Sequence, residues 1–262
     1  MDITTLIGII IGVVSLVLGF VLEGGELGSL IQVTAAIIVF GGTIGAVVVG
    51  TPFKIIKKVP FILKYAFSEK KVSAKDTIDQ LIELSNISRR EGLLALEGVL
   101  QESDNEFLKE GIQMIIDGAE AEMIQDIISR KIEKYEDNVL SIAKIFEAAG
   151  GFAPTMGIIG TVMGLVHILG QLDDPESLGP SIAVAFIATL YGVASANVIY
   201  LPIFNKIKAR LNQELMMMEL QAEGLLSIQY GENSTILKSK LTAFLDDKEI
   251  KGMNTNADEF PE

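Results

Sequence analysis

The sequence contains no cysteine and a single histidine. Without cysteine there can be no disulfide framework, thiol nucleophile or thiolate metal site, and one histidine argues against a zinc centre as well. A basic footprint is also missing: the net charge of −13 argues against a nucleic-acid binder. The soluble catalytic templates fail in turn. No Ser-His-Asp arrangement or His-Glu-x-x-His is present, and the glycines of GIIGTVMG (157–164) are not followed by Gly-Lys-Ser/Thr, so they form no phosphate loop. The chain is therefore not expected to be an enzyme, and no cofactor or metal is expected. The most informative absence is of charge: four long apolar runs contain no Asp, Glu, Lys or Arg.

Those runs are roughly Ile3–Leu22, Ser29–Gly50, Ala148–Gly170 and Ser181–Phe204. Each meets the length of about 20 residues that a helix needs to cross a bilayer. No Lys or Arg precedes the first run and no small-residue cleavage site follows it, so it reads as a retained span and not as a signal peptide. All 21 Lys and Arg lie within Lys54–Lys144 and Lys206–Lys251, while the short loops around Glu23–Gly28 and Gln171–Pro180 carry only acidic charges. The positive-inside rule then puts the basic segments and both termini in the cytoplasm. The expected product is an all-α, multi-pass membrane protein of four transmembrane helices. Its helical cytoplasmic domain is formed by the loop between spans two and three and by extensions of spans three and four.

The expected organisation is a hairpin at 1–52, an amphipathic interface helix and cytoplasmic helices at 53–147, a second hairpin at 148–204, and a cytoplasmic helix with a disordered tail at 205–262. The lysines of Lys54–Phe67 interleave with Ile, Phe and Leu, which suits a helix in the inner headgroup layer. Ser73-Ala74-Lys75-Asp76 resembles a capping box. Short helices are expected around Asp76–Leu84, Arg89–Gln101 and Asn105–Asp117. Apolar residues at Ile124, Ile128, Ile132, Tyr135, Val139, Ile142 and Phe146 give a helical period that runs into span three without a breaker. Span four continues likewise through 205–230, and the tail from Asp246 reads as disordered.

In span three, Gly157, Gly160 and Gly164 form a small-residue face of the kind that lets helix backbones approach inside a membrane. Thr161 lies beside that face. Span four repeats the pattern with Ala185, Ala188, Thr189, Gly192 and Ala196. At about 1.5 Å rise per residue, Thr161 and Thr189 reach nearly the same depth. Two hydroxyls in one layer could help a cation shed water, or each could bond a carbonyl one turn back. An ion path through lipid usually uses an ionisable residue, and no carboxylate or amine stands at mid-membrane here. His167, one turn from the outer loop, reads as interfacial. A transported proton or sodium ion would need a carboxylate from a partner chain. Pro154 and Pro202 each remove a backbone hydrogen bond near the inner end of a span and mark either a bend or a tolerated kink. Within SRREGLLALE, Arg89 and Glu97 fall eight residues apart, about 80° around a single helix, as a partner-facing pair or a solvated face.

Together, the two-plus-two spans, APTMGIIGTVMGLVHILG in the third, AFIATLYGVASANVIYLPIF in the fourth and SRREGLLALE between them closely resemble the MotA/PomA membrane subunits of flagellar stators. The resemblance covers almost the whole chain. It implies a bacterial inner-membrane homopentamer around a dimer of MotB or PomB, whose single span carries the ion-binding aspartate. Arg89 and Glu97 then match the charged pair that meets the rotor protein FliG. Pro154 and Pro202 match the prolines that couple ion occupancy to movement, and Thr161 and Thr189 match residues lining the ion path. Threonine at 161 is found in sodium-type members, where some proton-type members have alanine. Proton-driven ExbB/TolQ relatives carry threonines here too, and protons are slightly favoured over sodium. An ExbB/TolQ-like energiser of an envelope process and a non-conducting scaffold are the alternatives. Against the first stands the early hairpin, since those relatives have one span before their cytoplasmic region.

Overall fold

The computed structural model describes residues 3–68, 73–98, 105–170, 175–246 and 250. Among them there is no strand. The first helix, α1, is Ile3–Leu22, whose bounds are those of the first apolar run. After a 3-10 turn at Leu27–Leu30, α2 is built from Val33–Ala36, a π-helical turn at Ile37–Gly41, and Gly42–Gly50. Two shorter helices follow, α3 at Phe53–Ile56 and α4 at Val59–Phe67, separated just before Pro60. The expected single interface helix is thus two pieces, because a proline favours the first turn of a helix over its interior. Ile62 and Ala66 of α4 are buried, and Arg210 both donates to the Tyr65 carbonyl at 2.7 Å and stacks over the Tyr65 ring.

The next helix, α5, spans Ala74–Glu91. Ser73 caps it as its sequence indicates, its hydroxyl accepting from the Asp76 N–H at 3.2 Å. The expected helix Asp76–Leu84 lies within this one. Of the expected helix Arg89–Gln101, residues 89–91 belong to α5 and residues 96–98 are helical again, with 99–101 outside the described residues, and the break between them is at Gly92. That residue has φ +86°, a left-handed conformation that suits glycine at a helix end. A 3-10 turn at Leu93–Ala95 follows. Asn105 caps α6 (Glu106–Ile116), accepting from the N–H groups of Phe107 and Leu108.

Two long helical stretches dominate the chain, with candidate spans at Ala121–Leu169 and Ser181–Gln229. The first, α7, is Ala121–Leu169, so the cytoplasmic period and span three are continuous as expected. The second, α8, runs from Pro175–Ser195 through a π-helical turn at Ala196–Tyr200 into Leu201–Gln229. Its described part begins at Pro175, ahead of the apolar run at Ser181. The last helix, α9, is Ser234–Thr242, capped by Asn233. The expected tail from Asp246 lies almost entirely outside the described residues.

The chain divides into two compact units: 1–69 with 138–210, and 70–137 with 211–262. The second unit packs α5, α6, α9 and its portions of α7 and α8 around Leu81, Leu84, Leu96, Leu108, Ile112 and Leu225, each nearly inaccessible. Gly111 and Gly224 admit the side chains of Leu225 and Leu81 where a methyl group would collide with them. Lys240 bridges Glu223 and Glu232, both at 2.9 Å, and these two carboxylates hold its ammonium above the usual lysine range. In the first unit the apolar side chains of α1 and α2 point mostly outward, including Ile11, Ile37, Ile44 and Val49. Four of the helices are long and apolar enough to cross a membrane, and outward Ile and Val are what lipid or neighbouring helices require. The molecule is an all-α membrane protein.

Candidate functional site

Polar groups are so scarce in the four apolar helices that the site is defined by where the small residues allow close approach. In the first unit, α7 and α8 lie antiparallel with glycine and alanine in the seam. A methyl added at Gly157 would sit 2.8 Å from the Ala188 carbonyl oxygen and 3.0 Å from the Thr189 Cα. At Gly160 and Gly164 it would lie 2.7 Å from the Cβ atoms of Ala188 and Ala185 respectively. At Gly192 it would strike the Ala153 carbonyl oxygen and come within 3.1 Å of the Gly157 Cα. No larger side chain fits these positions, so the seam is backbone against backbone.

That closeness brings Thr161 and Thr189 together. Their hydroxyl oxygens are 2.6 Å apart, so the two side chains share one layer as the depth count predicted. Each hydroxyl has one hydrogen and two lone pairs, and carbonyls compete for the hydrogens. Thr161 can donate to Gly157 O at 3.2 Å or Ala185 O at 3.0 Å, and Thr189 can donate to Gly157 O at 3.4 Å. The bond to a carbonyl one turn back is therefore available to Thr161, and the cross-helix contact exists beside it. Both residues are half-buried. No group of three or more His, Cys, Asp or Glu capable of holding a metal occurs among the described residues.

A cleft of about 310 Å³ opens on the Gly170 side of this layer, lined by Thr34, Gly164, His167, Ser181 and Ala185 among others. Exposed His167 stands on this cleft and not beside the threonines. Pro154 is inside α7, half-buried, on the far side of the threonine layer from His167. Pro202 is exposed and stands two residues past the end of the π-helical turn. Having no N–H, its ring nitrogen cannot serve the carbonyl of Val198, four residues back and within that turn. A proline beside a widened turn has a physical logic, since an extra residue in the turn relieves the ring's clash with the preceding carbonyl.

Arg89 and Glu97 are both exposed, but they are not on one helix. Arg89 is in the last turn of α5 and Glu97 lies beyond Gly92 and the 3-10 turn. The expected 80° relation on a continuous helix is corrected, because the helix ends at Gly92 between them. The same break leaves Leu94 72% exposed while Leu96 is buried. Composition and periodicity did not single out Tyr191, which reaches from α8 to the start of α2. Its only signal in the sequence is a tyrosine placed two residues after Thr189 inside an apolar run.

The chain matches the MotA/TolQ/ExbB proton channel family over residues 99–220 and the motility protein A N-terminal family over residues 6–92. It is 40% identical to motility protein A of Bacillus subtilis over 95% of this chain and 93% of that one. It is 34% identical to the chemotaxis protein PomA of Vibrio alginolyticus over 94% of this chain and 96% of that one. Among solved structures, the flagellar MotAB stator complex of Bacillus subtilis superposes with a TM-score of 0.89 at 40% identity, covering 95% of this chain and 98% of that one. The MotAB structure from C. jejuni gives a TM-score of 0.89 at 34% identity, covering 94% and 97%.

Proposed function

The chain belongs to the MotA/TolQ/ExbB proton channel family, as a flagellar stator subunit of the motility protein A kind in the bacterial inner membrane, and we propose that it conducts ions together with a MotB/PomB-type partner. Ion flow through the complex becomes torque on the rotor for swimming. The carrying observation is the Thr161–Thr189 contact of 2.6 Å in a helix seam without any ionisable side chain. Hydroxyl lone pairs can replace part of a cation's hydration or pass a proton along. They cannot neutralise its charge, so the essential carboxylate is assigned to the partner's single span. Solved relatives that are MotAB complexes support a partner of this class.

Pro154 and Pro202 are assigned to coupling. Neither helix has an unbroken backbone ladder at its proline, so each can bend there at lower cost than elsewhere. Both termini and the second unit are assigned to the cytoplasm from the distribution of Lys and Arg. Several copies, five by the family resemblance, surround a partner dimer. Protons are the favoured ion and sodium is the alternative. Swimming speed with and without sodium, and with a protonophore, separates them: proton coupling predicts collapse with the protonophore and indifference to sodium. The hairpin of α1 and α2, and the N-terminal family match over residues 6–92, favour the stator over an ExbB/TolQ-like energiser.

Arg89 and Glu97 are assigned to the contact with the rotor protein FliG. Both are exposed, and a charge pair on separate elements can meet two points of a partner surface at once. Arg89→Glu combined with Glu97→Lys is expected to weaken torque while leaving membrane insertion intact. Load-dependent speed of a bead on the flagellum measures it. Normal swimming in both single variants and in the double would remove these residues from the rotor contact.

A further inference from the structure

The start of α2 has a backbone problem that a side chain of α8 solves. Between the 3-10 turn and the first turn of α2, Ile31 (φ −99°, ψ 96°) and Gln32 (φ −123°, ψ 102°) are extended. Extended residues inside an apolar run leave amide and carbonyl groups without partners in their own helix, and hydrocarbon offers none. Tyr191 supplies both. Its hydroxyl accepts from the Gln32 N–H at 3.1 Å and donates to the Leu30 carbonyl. Its ring stacks on Phe40 of the π-helical turn, with centroids 6.0 Å apart and planes at 28°.

Tyr191 follows Thr189 by two residues, which is about 200° around a helix. One hydroxyl of α8 therefore grips α2 while another meets Thr161 of α7 on the opposite side. The apolar contacts of Ala35 and Val39 with Ile187 and Ala188 hold the same layer, but they are non-directional and tolerate rotation. A helix pinned by directional bonds on two faces cannot turn about its axis or slide without breaking one of them.

We propose that Tyr191 is a positioning residue for the hydroxyl pair: by bonding the broken backbone at Leu30–Gln32 it fixes the rotation and depth of α8 at which Thr189 meets Thr161. This rests on the ion-path reading of the two threonines. Tyr191→Phe keeps the ring and its stacking and removes only the hydroxyl. The test is made in the complete complex with its partner subunit, as speed per incorporated stator unit against the activity of the coupling ion. That quantity does not depend on how much protein accumulates. Tyr191→Phe is expected to raise the ion activity needed for half-maximal speed by about threefold to tenfold, the weight of one lost hydrogen bond, with maximal speed nearly kept. In a Thr189→Ala background the same change is expected to add little, because the group it positions is gone. Phe40→Leu, which removes the stacking and keeps the hydroxyl, is expected to behave as wild type.

Fewer incorporated units with unchanged speed per unit at every ion activity would make Tyr191 a strut only and overturn the proposal. Full additivity with Thr189→Ala would overturn it as well. An impaired Thr189→Ala beside a wild-type Tyr191→Phe overturns the proposal and leaves the ion-path reading standing. An unimpaired Thr189→Ala removes the ion-path reading, and the proposal falls with it.

Discussion

Gly192→Val is expected to abolish swimming and to lower the amount of folded protein in the membrane. At Gly192 any Cβ meets the Ala153 carbonyl oxygen and comes within 3.1 Å of the Gly157 Cα, and both neighbours are backbone. A flexible side chain could move aside; a carbonyl in a helix cannot move without dragging its turn. Overpacking of this kind costs ~1–3 kcal/mol even where side chains can adjust, and here the alternative is separation of α7 from α8. Separation also pulls apart the hydroxyls, so function should fail before folding does. The alanine variant is therefore expected to retain protein but lose most motility. Gly19→Ala, where nothing lies within 4 Å, is the control and should swim normally. Soft-agar spreading together with immunoblots of membrane fractions reads both quantities. Wild-type spreading by Gly192→Val would mean that the seam is looser than the structure has it.

The second large effect concerns the hydroxyls themselves. Thr161→Val with Thr189→Val conserves shape and removes the two hydroxyls in contact within the α7–α8 seam. Loss of a directional polar contact is worth ~1 kcal/mol each when neutral and up to ~3 kcal/mol when the partner is charged. Ion-limited speed is accordingly expected to fall by about tenfold or more, with membrane amounts unchanged. Thr161→Ser and Thr189→Ser, which restore an oxygen, should recover most of it. Speed in low and high sodium at constant proton-motive force shows whether the hydroxyls also set ion preference. Equal loss in valine and serine variants would tie the defect to packing and not to the oxygen.

Much of this fold is written locally. α1 ends at Leu22, where its apolar run ends, because nothing but hydrophobicity defines that helix. Ser73 was readable as a cap since its partner is three residues away. The small-residue seam was readable too, because close approach demands Gly and Ala whatever the partner is. Arg89 and Glu97 show the opposite case. Their apolar period continues through Gly92, so periodicity alone drew one helix. Only the helix-stop signal, glycine directly after Arg-Arg-Glu, marked the break.

Two features had no local signal. The π-helical turn at Ile37–Gly41 depends on what packs across it, and Phe40 meets Tyr191 from a helix some 150 residues away in sequence. Tyr191 is informative only once the extended break at Ile31–Gln32 is known. The second π-helical turn could have been suspected from Pro202, but a proline announces a disturbed ladder without saying how the chain accommodates it. The paired threonines were half legible. Depth followed from counting residues, whereas the facing direction required the packing of α7 on α8.

The central claim is that this chain provides one wall of an ion path and that its partner provides the carboxylate. Ion flux into sealed vesicles, measured for this chain alone and for its complex with an unplugged MotB-type partner, tests it most directly. The account predicts flux only with the partner, reduced severalfold or more by Thr161→Val with Thr189→Val. Equal flux through this chain alone, or flux through the complex indifferent to both threonines, would contradict it.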